Sequence, residues 1–251
     1  MFPSLTANEM REIDRLMVEE MGIGLRQMME HAGRNLSEVA RILLGGELKG
    51  RKIVVLVGPG NNGGGGMVAA RHLVNGGSSV AVVLAQDPAR LKELPAHQHA
   101  TLSLIGVRIG VFDSAEAEEL AAWMGPSDLV IDALLGYSLS GAPRGSLAWI
   151  IRQVNGIGRP ILALDLPSGL HPDTGQVADP CIRAHATVTL ALPKRGLLVP
   201  TAKPYVGRLW VGDIGVPSSL YRRVSLTVGP LFSRGPVIPV EDGWSETLSR
   251  P

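Results

Sequence analysis

The chain has 251 residues, 45% of them hydrophobic and 4% aromatic, with 24 basic against 23 acidic side chains and a formal net charge of +1. That size suits one large α/β domain or two small ones, one being the reading adopted, and the balanced charge leaves no global field directed at nucleic acid or an anionic membrane. The single Cys181 cannot close an intramolecular disulfide. With no secretory pattern and no apolar run of about 18 residues, a reducing, cytoplasmic setting without a membrane span is expected.

In chain order, the first element is a helix: Thr6 is a fitting N-cap with Glu9 three residues on, and Leu5, Met10, Ile13, Met17 and Met21 recur at helical spacing. A second helix places Leu25, Met29, Ala32, Leu36, Val39 and Leu43 on one stripe. These methionines read as core. The period then changes to continuous apolar runs, "KIVVLVG", "SSVAVVLA", "DLVIDALL", "PILALDL", "ATVTLALP" and "GRLWVGDIG", which suit strands buried on both faces. Between them, Met67 to Asn75, Ala96 to Ile105, Ala115 to Met124 and Leu147 to Asn155 are long enough for crossover helices. The alternation predicts a mostly parallel sheet with helices on both faces, whose ligands belong at the C-terminal ends of the strands. Beyond Tyr221, Pro and Gly break every candidate element, so 222–251 is expected as an irregular tail.

Three stretches compete for the upper crevice. The first, "VGPGNNGGGGMVAARHL" from Val57 to Leu73, passes from a strand through four consecutive glycines, predicting a turn that a ligand approaches closely before a helix begins. Without a Lys followed by Ser or Thr it is not a P-loop. Gly58 to Gly63 does match G-x-G-x-x-G, with Asp87 near the end of the next strand, which keeps a nicotinamide-dependent dehydrogenase open as an alternative. Asn61 and Asn62 can hydrogen-bond or ligate there. The second and third stretches, Asp132 to Gly145 and Ala163 to Gly175, each follow an apolar strand. Asp132 and Asp165 close strands one strand-helix-strand unit apart, so they can be neighbours. Asn62, Asp132 and Ser168 together form an all-oxygen set suited to a hard cation. No His or Cys spacing suggests zinc; His97 and His99 read as solvated, His72 and His185 as structural.

The segments "LTANEMREIDR", "MMEHAGR", "GPGNNGGGGMVAARHL", "DALLGYSLSGAPRG", "LDLPSGLHPDTG", "LALPKRGLL" and "VGDIGVP", in this order, resemble the YjeF N-terminal domain family, whose enzymatic members are NAD(P)H-hydrate epimerases. The resemblance runs from Leu5 to about Tyr221 and implies one domain over 1–221. The implied fold is a Rossmann-like three-layer α/β/α sandwich preceded by two N-terminal helices, and the implied assembly is a homodimer. The implied substrate is the 6-hydroxy hydrate of NADH or NADPH (NADHX, NADPHX), whose R and S epimers are interconverted. Carried over by residue, Asn61, Asn62, Gly63, Gly64 and Gly65 contact the hydrated nucleotide, as do Gly136, Tyr137, Ser138, Leu139, Ser140, Gly141, Ala142 and Asp165. Asn62, Asp132 and Ser168 match the family's potassium ligands. Inversion at C6 needs the hydroxyl to leave or the ring to open and re-addition on the other face; Asp165 is the first acid/base candidate and Lys194 the second. The implied functional partner is an NAD(P)H-hydrate dehydratase, a kinase-like domain for which 251 residues leave no room.

Two positions depart from the family's pattern. Where the family usually carries Asn-Asn-Gly-Gly-Asp-Gly, the acidic place is Gly65, and where it usually carries Asn, "MEHAG" has His31. If that carboxylate moves a proton, its loss lowers turnover while binding survives, and His31 could restore part of the transfer. A catalytically silent relative that binds a nucleotide-like ligand or a protein partner therefore stays open beside the epimerase.

Overall fold

The structure, a computed structural model, describes residues 2–112, 122–138 and 141–240. The expected crossover helix at Ala115 to Met124 thus lies largely outside the described residues, as do Leu139 and Ser140 and the end of the tail.

Two helices open the chain, α1 (Ala7–Glu19) and α2 (Leu25–Leu43). The predicted capping box is present: the Thr6 hydroxyl accepts from the Glu9 amide and the Glu9 carboxylate accepts from the Thr6 amide. Six strands coincide with the apolar runs: β1 (Lys52–Val57), β2 (Ser79–Leu84), β4 (Leu129–Ala133), β5 (Ile161–Leu164), β6 (Ala186–Leu190) and β7 (Arg208–Gly212). The sequence reading missed β3 (Arg108–Val111), a partly exposed edge strand without a continuous apolar run. It also missed β8 (Val237–Pro239), which pairs antiparallel with β7. Residues 222–240 pack on the body, irregular between Arg223 and β8: Leu231 and Ile238 are buried against α1 and β7, and Pro239 is tolerated because β8 lies at the sheet edge. Two residues between prolines leave no period to read.

The strands form one sheet of order β3-β2-β1-β4-β5-β6-β7-β8, parallel except for the last pair. Alternate residues of each strand fill two cores. Ile53, Val55, Val57, Ile131 and Leu164 face a layer made of α2, α3 (Asn61–Asn75) and α4 (Glu93–Leu104). Val54, Leu56, Val130 and Ala163 face α5 (Gly145–Gly156) on the other side. The Rossmann-like three-layer arrangement is as expected, with α1 and the 222–240 segment packed over the β7–β8 end. The chain runs outward from β1 to β3 and returns on the other side of β1 as β4, which puts the topological switch between β1 and β4.

The glycine run is not a loop. α3 begins at Asn61, so Gly63 to Gly66 lie in its first two turns. Helix interiors disfavour glycine, so a packing demand must outweigh propensity. The demand is close approach on every side. A Cβ on Gly63 would stand 2.0 Å from the Gly58 carbonyl oxygen, on Gly64 2.6 Å from a Met29 carbon, and on Gly66 2.5 Å from Ala133 Cβ. Gly33 of α2 completes the crossing, since its Cβ would lie 2.5 Å from Val68 and 2.7 Å from the Gly65 carbonyl oxygen. Among the described residues, no helix is long and apolar enough to cross a membrane.

Candidate functional site

A cavity of about 440 Å³ opens at the switch point, lined by Pro59 to Asn62, Gly65, Leu134 to Ser138, Asp165 and Lys194, and roofed by Met10, Asp14, Met28 and Met29 from the two N-terminal helices. The methionine stripe is therefore core and cavity wall at once.

At its centre Lys194 Nζ donates to Asp165 Oδ1 at 2.5 Å, with side-chain exposures of 1% and 4%. Neither is held there by the local chain alone. Asp165 ends β5 at φ +68°, a left-handed conformation that an L-residue other than Gly, Asn or Asp adopts only at a cost of about 1–2 kcal/mol. Its amide donates to the Val188 carbonyl of β6, and its second carboxyl oxygen accepts from the Tyr137 amide at 3.0 Å. Lys194 also donates to the Leu190 carbonyl at 3.1 Å. Its backbone is pinned by Leu5, whose amide donates to Pro193 and whose carbonyl accepts from Arg195. The residues just before α1 thus fix a catalytic candidate far along the chain.

Gly136 stands in close approach: a Cβ there would lie 3.2 Å from both Asn62 Cγ and Asp165 Oδ2, so a larger residue makes these side chains give by a few tenths of an ångström. Asn62 itself donates from its side-chain nitrogen to the Leu164 carbonyl at 3.3 Å.

Asp132, fully buried in β4, accepts from the Ser168 amide at 2.8 Å, the Ser168 hydroxyl at 2.7 Å and the Leu134 amide at 3.2 Å. Burial pushes its carboxyl up to about 6, the three hydrogen bonds opposing the shift. Among the described residues no basic side chain is in ion-pair contact with it. Asp132 and Ser168 are hydrogen-bonded neighbours off the cavity lining, whereas Asn62 lines the cavity and bonds to Leu164; by chemistry alone the oxygens of the three suit a weakly held monovalent cation. No group of three or more His, Cys, Asp and Glu side chains that could hold a metal occurs among the described residues.

α3 has Gly60 as its N-cap, which offers no side-chain cap, so its first-turn amides lack a side-chain partner there. Asn61 and Lys92 line the cavity.

Other sequence expectations shift. Gly63 and Gly64 do not line the cavity, because the helical turn points them into the α2 and β1 packing, and the Gly64 amide is engaged with the Gly60 carbonyl. Gly141 and Ala142 are exposed and off the cavity, while Leu139 and Ser140 lie outside the described residues. His31 is exposed and sits beside Gly215, away from the cavity, so it does not stand in for the missing acid at Gly65. Asp87 accepts from the Ala89 amide at 2.8 Å and caps the turn Pro88–Arg90. His72 contacts Glu30 at 2.8 Å and His185 accepts from the Ile161 amide, both structural roles.

Residues that the sequence reading did not single out also line the cavity: Asp14, Lys92 and the apolar Met28, Leu190 and Ile214. Asp14 stands one helical turn after Met10 on the flank of the apolar stripe of α1, the only signal that could have marked it.

The model for the YjeF-related protein N-terminus matches residues 25–196. The chain belongs to this family. Among relatives of the YjeF-related N-terminus, a protein from Dehalogenimonas lykanthroporepellens named NAD(P)H-hydrate epimerase is 44% identical over 222 residues, covering 88% of this chain and 86% of the relative. A bifunctional NAD(P)H-hydrate repair enzyme from Salinibacter ruber is 40% identical over 232 residues, but the match spans only 42% of that protein. The crystal structure of the yeast protein ynu0 superposes with a TM-score of 0.83 at 25% identity, over 95% of this chain and all of that one.

Proposed function

We propose that this YjeF-type chain is an NAD(P)H-hydrate epimerase, an isomerase that interconverts the R and S hydrates of NADH and NADPH in cofactor repair, and that it works at the Asp165–Lys194 crevice. The buried ion pair is the observation that carries the site assignment. Replacing a buried pair by apolar residues is often neutral or stabilising, so a buried Lys–Asp pair opening on a cavity at the switch point is poorly explained by stability. It is well explained by proton transfer.

The substrate's pyrophosphate suits the uncapped start of α3, with Asn61 and Lys92 beside it, and the hydrated ring then reaches Gly136, Tyr137, Asp165 and Lys194. The Asp165 carboxylate is the group that takes a proton from the oxygen at C6, and Lys194 holds it charged and oriented. Asn62, Asp132 and Ser168 would hold K⁺, which when bound supplies positive charge beside an anionic ligand. An NAD(P)H-hydrate dehydratase is the expected functional partner, since the bifunctional relatives join repair functions in one longer chain. A homodimer in the cytoplasm completes the reading.

The decisive experiment mixes R and S hydrates with an S-specific dehydratase, with and without this protein. Consumption of both epimers is expected. An R epimer that persists at high protein concentration overturns the proposal and favours a silent binding domain.

A further inference from the structure

Tyr137 is fastened at both ends to carboxylates of the same cavity. Its amide donates to Asp165 Oδ2 at 3.0 Å, and its hydroxyl, at the far end of the side chain, donates to Asp14 Oδ2. Its ring is flanked by Lys194 Nζ at 5.5 Å and the Arg11 guanidinium at 5.9 Å from the centroid. Both carboxyls line the cavity, one bonded to the backbone end of Tyr137 and the other to its hydroxyl end. The epimerisation requires two such groups: one gives a proton to the departing oxygen on one face of C6, and the other takes one from the water that adds on the opposite face. Ring-flanking carboxyl pairs in inverting glycoside hydrolysis solve the same geometric problem with a separation of roughly 6.5–9.5 Å.

We propose that Asp14, backed by the Tyr137 hydroxyl, is the second proton-transfer group of the site, acting on the face of the hydrated ring opposite Asp165 and Lys194. The inference rests on the epimerase reading. Asp14 has the environment for it: burial pushes its carboxyl upward, the Tyr137 hydrogen bond and the Lys194 charge pull it down, and the Asp165 charge raises it again. Among the described residues no basic side chain is in ion-pair contact with it, so a structural ion pair does not account for its place in the wall.

The step balances without any other reactant. The N1 lone pair forms the N1=C6 π bond as the C6–O bond breaks, and the hydroxyl takes the Asp14 proton and leaves as water. A water then adds to C6 from the other face, the N1=C6 π electrons return to N1, and the proton from that water passes to Asp165. For the opposite epimer the two carboxyls exchange roles, and the open cavity lets both re-equilibrate with solvent.

The test compares wild type, Asp14→Asn and Tyr137→Phe, each with resolved epimers, and measures NADP⁺ binding by calorimetry as a probe that lacks the reacting hydroxyl. Asp14→Asn should lower kcat by about 10²-fold or more, the scale of a general acid–base group, with KM and NADP⁺ affinity within about threefold. Tyr137→Phe should lose less, because the acid itself remains. An Asp14→Asn enzyme with wild-type kcat, or one that loses NADP⁺ binding in step with activity, overturns the inference while leaving the epimerase reading intact. A wild type that does not epimerise at all overturns both.

Discussion

Lys194→Met tests the centre of the site through stability as well as activity. Methionine matches the length of the lysine stem but removes the ammonium that Asp165 faces at 2.5 Å, and with the Asp165 side chain 4% exposed, solvent cannot compensate. The carboxylate keeps the Tyr137 amide, but breaking a buried pair by removing one partner typically costs about 3–5 kcal/mol. For a chain of this size each kcal/mol moves the melting temperature by about 2–4 °C, so the variant should melt roughly 6–20 °C lower. Epimerisation should fall by about 10²–10⁴-fold. The companion variant Lys194→Met/Asp165→Asn removes the orphaned charge, and asparagine tolerates the φ of +68° at that position. It should recover most of the lost stability and none of the activity. Calorimetric melting and the coupled epimerase assay measure the two arms. A single variant as stable as the parent would show that the pair is not an electrostatic unit, and a double variant that regains turnover would remove both residues from the chemistry.

Gly65 lies in an ordinary helical position where a Cβ meets Leu164 Cδ2 at 2.9 Å and Ala32 Cβ at 3.9 Å, so Gly65→Asp should fold once the end of the Leu164 side chain shifts and should place a carboxylate in the cavity wall. Epimerisation should rise by about tenfold or more with unchanged NADP⁺ affinity, and Gly65→Asn should not reproduce the gain; equal rates in all three proteins would show that the acid is dispensable here. Gly136→Ala should force Asn62 and Asp165 apart and cut kcat/KM by at least about tenfold while leaving the melting temperature within a few degrees, as read by steady-state kinetics and calorimetry. Replacing K⁺ by a large organic cation should weaken NADP⁺ binding in the wild type but not in Asp132→Asn, whereas equal sensitivity of the two would place the cation elsewhere.

Sequence periodicity determined six of the eight strands of the sheet. Apolar runs such as "KIVVLVG" and "DLVIDALL" can be satisfied only by strands buried on both faces, and the intervening lengths require crossovers, so β1, β4 and the crevice above them follow from local pattern. Asp132 and Ser168 were legible for the same reason: each stands at or just beyond the end of a recognisable strand, where the chain direction dictates which edge it reaches. What the tertiary structure alone decided are the pairings between distant segments. The four glycines read as a loop because propensity is a local quantity, whereas the close packing of α3 against Gly33, Met29 and Ala133 depends on partners that no window around Gly63 contains. Lys194 becomes a partner of Asp165 only because Leu5 bridges to it, and Asp14 reaches the cavity only because α1 folds back over the sheet edge. β8 exists because β7 offers a free edge, not because two residues between prolines favour a strand. Local sequence sets which backbone shapes are affordable; burial and charge pairing across long separations then select the one that assembles a site.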